Sequence, residues 1–379
     1  MKITHAEVIL TKVPVRRAHK MAIGTTLFQE SAYLKLFTDE GLIGLGEAPH
    51  MVGYSGAGET QSSVALQLRE RLVPAVLGKD PSQIEARQID MERALPWNPR
   101  AKSAVNMALY DLTGKALNTP VYNLLGGLVR DRIPRSWSIG IMPFDQGVEE
   151  AKKMVQERGF TIIKVKVGAR ERPMDDAEMV LRVREAVGDE VRLRADANQG
   201  YDVSTAIRVI RVMEQADIEF IEQPVHRDDL EGMAEVRQAV STYVMADESA
   251  NSPWDVLQIA RRRAADLISI YINNGGGITA AKKMSIVAEP SGIGCYIGGA
   301  LEGAIASLAC LHFGASTPNV TFGCETGGQF LLAEDLSAEP IPFEDGRLLV
   351  PHGPGLGGDL DEDKVKHHQI ERFEIRPPA

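Results

Sequence analysis

The stretch TIIKVKVG, residues 161–168, carries two lysines, Lys164 and Lys166, that are separated by a single apolar residue. Apolar residues alternate with the lysines. This period of two is typical of a β-strand and places both ammonium groups on one face. Like charges side by side in a sheet are unfavourable unless anions lie opposite them. The pattern therefore predicts carboxylates that face this strand.

Carboxylates follow the next three apolar runs of the chain. RLRADAN places Asp196 30 residues after Lys166, IEFIEQP contains Glu222, and YVMADES contains Asp247. A single acid at a strand end is more often a helix cap or a solvated charge, and the lysines alone could form a buried ion-pair network. Three such acids beside a lysine pair instead favour an oxygen-only metal site, which suits Mg²⁺.

Short apolar strands alternate with helical segments from about residue 135 onward, at steps of roughly thirty residues, which is typical of βα units with a parallel sheet. Strands are predicted near 135–140, 161–167, 191–197, 218–222, 243–247, 267–272, 293–297 and 320–324. Eight strands favour a closed α/β barrel over a doubly wound sheet. Since a barrel keeps its chemistry at the carboxyl ends of its strands, the lysines and carboxylates should meet there.

The first 125 residues show strands followed by helices, which indicates an α+β unit. Two strand regions within 1–50 are predicted to flank a loop, AHKMAIGTTLF, and helices follow from about residue 60. In the last of these helices, Ala104, Ala108 and Leu112 form an i, i+4, i+8 stripe suited to close packing. We expect three parts, residues 1–130, 131–335 and 336–379, with the strand-like HHQIERFEIRP returning to the first part.

Composition narrows the class of protein. The 379 residues include 42 basic and 52 acidic side chains, a net charge of −10, which argues against nonspecific binding to nucleic acid or anionic membranes. No apolar run reaches the eighteen or so residues of a membrane span, and MKITHAEVIL lacks a signal-peptide layout. The three cysteines form no metal-type pair, so reduced thiols and a cytoplasmic location are expected.

The motifs KVK, DAN, EQP and DES, in this order, resemble the enolase superfamily and, within it, the muconate lactonizing enzyme subgroup. The resemblance covers essentially the whole chain, including GLIGLGEA near the N-terminus and LEGAIASLA and TFGCETGGQF near the C-terminus. It implies a modified TIM barrel of seven βα units and an eighth strand. The N-terminal region and the C-terminal tail would form an α+β capping domain. It also implies Mg²⁺ bound by Asp196, Glu222 and Asp247.

By the same resemblance Lys166 is the acid/base catalyst, and Lys164 is its partner and holds the substrate carboxylate. The reaction would remove the proton α to a carboxylate and give an enolate, whose charge the metal and Lys164 stabilise. Lys166 must be neutral to accept a proton. A neighbouring ammonium group and a metal ion should therefore lower its pKa.

One position departs from the pattern of the subgroup. Most members carry a second lysine at the end of the sixth strand, on the opposite face of the substrate, but in DLISIYINNGGGI this position holds Tyr271. Tyrosine is a weaker base at neutral pH, although it can donate a hydrogen bond. The substitution disfavours a two-base racemase and favours a reaction that Lys166 runs from one face.

Further candidates are less constrained by the sequence. Glu325 in GCETGG could donate a proton or a hydrogen bond, or cap a helix. Cys295 in IGCYIGG could be a far-face acid in contact with the substrate, although a core role is the favoured alternative. Asn198 of DAN is a candidate for substrate binding. Substrate choice is expected from loops near 18–25 and 50–56, with the candidates His19, Met21, His50 and Tyr54.

The sequence thus predicts an enzyme with a small-molecule carboxylate substrate and no nucleic-acid or membrane partner. A one-face lyase or cycloisomerase is favoured, either a dehydratase of the cis-3-hydroxyproline type or a muconate cycloisomerase-like enzyme. The alternatives are a racemase or epimerase of amino-acid or proline-betaine-type derivatives, and a non-catalytic barrel that only binds. The resemblance also suggests a homo-oligomer, either a dimer or an octamer.

Overall fold

The computed structural model describes residues 1–51 and 58–377 of the chain. The N-terminal part is an antiparallel sheet of β1 (Ile3–Met21), β2 (Gly24–Thr38) and β3 (Ile43–Met51). The predicted loop over residues 18–28 is wrong, because β1 and β2 stay paired to the register Met21–Gly24 and turn through only two residues. Thr25 and Thr26 are β-branched and pair with Lys20 and His19, which suits a strand better than a loop.

Helices cover one face of this sheet, as the sequence predicts. They are α1 (Gln61–Gln67), α2 (Val73–Val76), α3 (Ile84–Ala94), α4 (Pro99–Ala116) and α5 (Val121–Leu124), with a π-helical turn, Leu68–Leu72, between the first two. The predicted stripe of α4 is buried and lies against β3. A Cβ added at Gly46 would come within 1.8 Å of the backbone oxygen of Ala104, so only glycine allows this close approach.

The central part is the predicted barrel. After the short strand β4 (Arg132–Pro134), eight parallel strands follow in spatial and chain order: β5 (Trp137–Ile139), β6 (Ile162–Lys166), β7 (Arg192–Asp196), β8 (Ile218–Glu222), β9 (Tyr243–Ala246), β10 (Leu267–Ile270), β11 (Gly294–Ile297) and β12 (Val320–Cys324). A parallel bridge between Arg135 and Cys324 joins the last strand to the residues just before the first. This contact closes the sheet into a modified TIM barrel.

Helices follow seven of the eight strands and form the outer layer. They are α6 (Phe144–Arg158), α7 (Met174–Val187), α8 (Val203–Met213), α9 (Leu230–Ala239), α10 (Pro253–Arg262), the pair α11 (Ile272–Gly275) and α12 (Ile278–Ala288), and α13 (Ala304–Ala315). In α8, Ala206, Val209 and Ile210 are buried among the core residues that surround the strands. Such an apolar stripe at helical spacing fixes which face of the helix turns toward the barrel.

The C-terminal tail returns to the N-terminal sheet. β13 (Phe343–Glu344) and β14 (Arg347–Leu349) form a hairpin on β4, then α14 (Glu362–His368) leads into β15 (Gln369–Ile375). β15 pairs antiparallel with β1, in a register that includes Ala6–Ile375. The capping domain is therefore built from both ends of the chain, as predicted; the residue limits 130 and 335 stay predictions. Within the described ranges, no helix is long and apolar enough to cross a membrane.

Candidate active site

The strand register of the barrel brings the predicted residues to one edge. Lys166 lies opposite Asp196, and Asp196 lies opposite Glu222, at the carboxyl ends of three adjacent strands. Asp247 comes one residue after the end of β9. Four charged side chains that are far apart in the sequence thus meet at the mouth of the barrel, and each is buried.

Lys166 contacts the site directly. Its ammonium group forms a short ion pair with Asp196 and donates to Oδ1 of Asn198 at 3.1 Å. Burial lowers the pKa of Lys166 and so does Lys164, but the carboxylate of Asp196 raises it, and the net direction is upward. Without a metal ion, the charge of Asp196 outweighs that of Lys164; the lowering predicted for a metal-bound site stays a prediction.

Lys164 lies deeper in the barrel and has no exposed surface. Its Nζ is 2.6 Å from Oε2 of Glu222 and 3.3 Å from Oδ2 of Asp196, and it forms a short ion pair with Glu325. Burial lowers the pKa of Lys164, yet Glu222 and Glu325 raise it well above its usual range. Lys164 is therefore a permanent cation beneath the carboxylates, and its predicted contact with the substrate carboxylate stays a prediction.

The carboxylates fit a divalent cation by their charge and by their free oxygens. Burial, then the charge of Asp196, raises the pKa of Glu222 to about 8, and burial with Glu248 and Glu222 raises that of Asp247 well above its range. Oε1 of Glu222 and Oδ1 of Asp247 are buried without a hydrogen-bond partner. Such acids are costly to ionise without a further cation. Oxygens of Asp196, Glu222 and Asp247 do not all lie within 4.8 Å of one another.

Two residues that the sequence reasoning missed hold this edge in place. Gln223 accepts hydrogen bonds from the backbone of Asp247 at 2.9 Å and of Ser249 at 3.2 Å, through its Oε1. Glu248 accepts from Nδ2 of Asn198 at 3.2 Å, while its Oε2 is buried without a partner. Gln223 belongs to the EQP motif and Glu248 to the DES motif. Each stands next to a predicted metal ligand, and this adjacency is the sequence signal that could have identified it.

A small chamber of about 30 Å³ lies above these groups, between the barrel and the capping domain. Its lining includes six predicted residues from the barrel and the cap: His19, Met21, Lys166, Asn198, Tyr271 and Glu325. It also includes Met51, Ser138, Gly299, Leu301 and Leu331, which the sequence did not single out. The predicted contact of these side chains with a substrate stays a prediction, but they share one cavity with the lysine.

His19 enters the chamber in a defined tautomer. Its Nδ1 lies 3.3 Å from Nη1 of Arg17, and since a guanidinium only donates, Nδ1 must accept and the hydrogen resides on Nε2. Burial, followed by the positive charges of Lys166 and Arg17, lowers the pKa of His19 well below its usual range. His19 is therefore a neutral hydrogen-bond donor at the cap side of the chamber.

Tyr271 occupies the position predicted for it, at the end of β10. Its hydroxyl donates to Oδ2 of Asp247 at 3.4 Å. The ring lies over Gly298, where an added Cβ would come within 2.1 Å of it. The absence of a side chain at Gly298 therefore leaves the space that the ring of Tyr271 occupies.

Two of the predicted substrate contacts, Cys295 and His50, lie outside the chamber. Cys295 has the favoured core role and not that of a far-face acid: its side chain points into the core between strand and helices, and Asn319 donates to its Sγ at 3.2 Å. Burial raises the pKa of its thiol to about 12. His50 is buried beside Glu30, with Nδ1 3.7 Å from Oε2, and does not line the chamber. Tyr54 falls outside the described residues.

Comparisons with known proteins agree with this geometry. Residues 5–126 match the model of the mandelate racemase/muconate lactonizing enzyme N-terminal domain, and residues 146–364 match the enolase C-terminal domain-like model. A chloromuconate cycloisomerase of Cupriavidus necator is 34% identical over 368 residues, which is 97% of this chain and 99% of that protein.

Solved structures extend the likeness to the whole fold. N-succinyl Arg/Lys racemase from Bacillus cereus superposes with a TM-score of 0.94 at 31% identity, covering 99% of this chain and 100% of the other. A muconate lactonizing enzyme from Pseudomonas fluorescens, complexed with muconolactone, gives 0.93 at 35% identity, with 97% and 99% covered. The chain therefore belongs to the enolase superfamily, in its muconate lactonizing enzyme subgroup, and is an enzyme of the lyase or isomerase kind.

Proposed function

We propose that this enzyme removes the proton α to a carboxylate with Lys166, from one face of the substrate, and completes a β-elimination or cycloisomerisation on that face. The observation that carries the proposal is the make-up of the chamber. Lys166 lines one side of it and Tyr271, which is not an amine base, lines it from the end of β10. A reaction that inverts a carbon centre needs a proton donor and an acceptor on opposite faces.

Each residue of the site has a distinct part in this reaction. Lys166 takes the proton at Nζ, and Asn198, whose Oδ1 lies 3.1 Å away, orients that nitrogen. Lys164 stays charged beneath the site and offsets negative charge on Glu222 and Glu325. Lys166, which then carries the proton, can deliver it to a leaving group on the same face, while Glu325 reaches the chamber as an ion-pair partner of Lys164. The apolar side chains of the cap exclude water from the chamber.

Asp196, Glu222 and Asp247 would hold Mg²⁺, since hard carboxylate oxygens are its preferred ligands and two of these acids keep free buried oxygens. Bound there, the ion would take up the charge of Asp196 that now raises the pKa of Lys166, and would stabilise the oxygens of an enolate. The chain supplies the ligands, the base and the closed chamber.

Two substrate classes fit one working lysine. β-Hydroxy amino acids would lose water after Lys166 removes the α-proton. In muconate-like diacids one carboxylate would add to a double bond, and the Lys166 ammonium group would then protonate the resulting enolate at its α-carbon on the same face. The identity to chloromuconate cycloisomerase supports the second class. The likeness to N-succinyl Arg/Lys racemase supports a second candidate function, racemisation or epimerisation of an amino-acid derivative. In that case the hydroxyl of Tyr271 would have to serve as the far-face acid.

Proton NMR in D₂O separates these functions. The Mg²⁺-loaded enzyme is incubated with α-amino, N-acylated, N-methylated, β-hydroxy and unsaturated acids. Water loss or lactone formation without epimer supports the proposal, whereas deuterium incorporation with inversion would establish the racemase. A protein that neither exchanges an α-proton nor converts any of these acids would support the binding-protein alternative. Light scattering of the same sample tests the proposed dimer or octamer.

A further inference from the structure

A second group of candidate metal ligands lies outside the barrel, at the junction of the C-terminal tail with the loop that follows β12. Glu334 belongs to that loop, and His367 and His368 are the last two residues of α14. One ligand atom from each of the three lies within 4.8 Å of the other two. Oε2 of Glu334 is 2.9 Å from Nε2 of His368, and the two imidazole rings meet edge to face with centroids 4.7 Å apart.

Neighbouring contacts hold the two segments in place independently of these side chains. Nζ of Lys364, in the same helix, donates to the backbone oxygen of Ser337 at 2.8 Å, and the backbone of Asp361 donates to that of Leu336 at 2.9 Å. The helix end is thus fixed against the loop, which lowers the conformational cost of binding. A single ion pair with Glu334 uses only His368. The second imidazole is more exposed and contributes nothing to that pair.

We propose that Glu334, His367 and His368 bind a borderline divalent transition-metal ion, such as Zn²⁺. Two imidazole nitrogens and a carboxylate oxygen suit such an ion, whereas Mg²⁺ selects oxygen ligands. Metal–ligand bonds of about 2.0–2.2 Å place ligand atoms at most about 4.4 Å apart around the ion. The present separations, within 4.8 Å, need only small side-chain rotations, and water would fill the remaining positions.

The bound ion would fasten the tail to the wall of the chamber. Glu334 lies three residues after Leu331, which lines the chamber, and the same loop is hydrogen-bonded to β1: Arg16 donates to the oxygen of Leu331 at 2.8 Å, and Ala333 to that of Pro14 at 2.8 Å. An ion that binds only the folded chain raises its thermal stability by mass action. Zn²⁺ should therefore raise the melting temperature even when the barrel site is saturated with Mg²⁺.

Isothermal titration of the chelator-stripped full chain with ZnCl₂, in excess Mg²⁺, tests this proposal. The wild type should bind one Zn²⁺ per chain, and the melting temperature should rise. His367→Gln and Glu334→Gln should each weaken this binding at least about tenfold, as loss of a ligand requires. His226→Gln is the matched control: His226 is exposed and lies 3.8 Å from an oxygen of Asp228, a His–carboxylate pair without a second imidazole. It should bind as the wild type does.

Two results would overturn the proposal. One is a Zn²⁺ affinity that His367→Gln and the double variant His367→Gln/His368→Gln leave unchanged. The other is the disappearance of all Zn²⁺ binding in excess Mg²⁺, which would locate it in the barrel. His367 is exposed, and its ring contacts the ring of His368. The variant His367→Gln should therefore fold normally. Circular dichroism of the metal-free variants verifies this before titration.

Discussion

The barrel interior holds buried cations at two levels, and they differ in how completely they are paired. At the mouth, Lys166 pairs with Asp196 beside Glu222 and Asp247, two carboxylates that keep oxygens without partners. Two residues before Asp196 on the same strand, Arg194 is as deeply buried.

The deeper arginine has a partner for each nitrogen. Nε donates to Oε2 of Glu219 at 2.7 Å, Nη1 to Oγ of Ser136 at 2.8 Å, and Nη2 to the backbone oxygen of Phe322 at 2.9 Å. Its guanidinium also lies 4.8 Å from the ring centre of Phe220. A satisfied buried charge is typical of a structural role, whereas unsatisfied buried acceptors in a cavity need a ligand or an ion. The same strand β7 therefore supplies scaffold at one level and chemistry at the next.

Removing the cation at the mouth should abolish chemistry and spare the fold. Lys166→Met should lower the rate of α-proton exchange by about 10²- to 10⁴-fold, the usual contribution of a general base. Asp196 keeps Lys164 at 3.3 Å and the backbone of Asn198 at 3.0 Å, so no carboxylate is left unpaired. Exchange is followed by NMR in D₂O and stability by thermal melting. Retained exchange in this variant would assign the base to another residue.

Removing the deeper cation should do the opposite. Arg194→Met removes the donors to Oε2 of Glu219 and to the oxygen of Phe322, while Arg192 still pairs with Oε1 of Glu219 at 3.3 Å. Hydrogen bonds of a charged group contribute about 1.5–3 kcal/mol each, so the free energy of unfolding should fall by about that amount or more. Urea unfolding measures this loss. The folded fraction should still exchange α-protons at the wild-type rate, because Arg194 does not line the chamber. A variant that is stable but inactive would show that the two levels are not separate.

The contrast also explains which parts of the site could be predicted from sequence. Lys166, Asp196 and Glu222 end consecutive strands, and a period of two with a constant βα step is enough to bring them to one edge. The pKa of Lys166 is less accessible from sequence: its predicted lowering assumes a bound metal ion, and the ion pairs of the structure by themselves raise it. Its value depends on side-chain distances among Lys164, Lys166 and Asp196, which a strand pattern does not encode.

Contacts between the capping domain and the barrel were the harder part. The strand pairing through Met21 was read as a loop because Gly24 and two threonines follow it. Met51 and Leu331 line the chamber, yet nothing in a single apolar side chain distinguishes a cavity wall from a core. The favoured core role of Cys295 agrees with its burial, and strand alternation explains it: the neighbouring Tyr296 points inward, with its ring centre 5.5 Å from Nζ of Lys164.

A third buried polar group predicts a pH dependence of the scaffold. His312 accepts a hydrogen bond from the backbone of Tyr122 at 3.3 Å, and its Nε2 lies 3.1 Å from the backbone oxygen of Leu356. Burial lowers the pKa of His312 to about 4. The unfolded chain binds this proton near its ordinary pKa of about 6.5, so the stabilisation is complete above that pH and is lost as pH falls toward 4.

Unfolding free energies of the wild type and of His312→Gln, measured between pH 7 and pH 4, test this expectation. The wild type should lose about 3 kcal/mol more than the variant over this interval. Glutamine can keep the bond to Leu356 and does not titrate, so the variant isolates the contribution of the imidazole. Parallel curves for the two proteins would contradict the assigned tautomer and its satisfied bonds.

The smallest expected effect separates the two faces of the chamber. Tyr271→Phe removes one hydroxyl, whose hydrogen bond to Asp247 is long at 3.4 Å, and keeps the ring that Gly298 accommodates. If Lys166 works from one face, the rate of α-proton exchange should fall by about tenfold or less, the effect of one weak hydrogen bond.

A two-base enzyme would respond differently to the same change. Inversion needs a proton from the far face, so Tyr271→Phe would lower racemisation by about 10²-fold or more while exchange catalysed by Lys166 continued on the near face. The ratio of exchange to inversion, measured on one sample by NMR and chiral chromatography, therefore decides between the two mechanisms. If neither the wild type nor Tyr271→Phe shows inversion and the variant loses only modestly in exchange rate, Tyr271 shapes the chamber and the chemistry belongs to the lysine face alone.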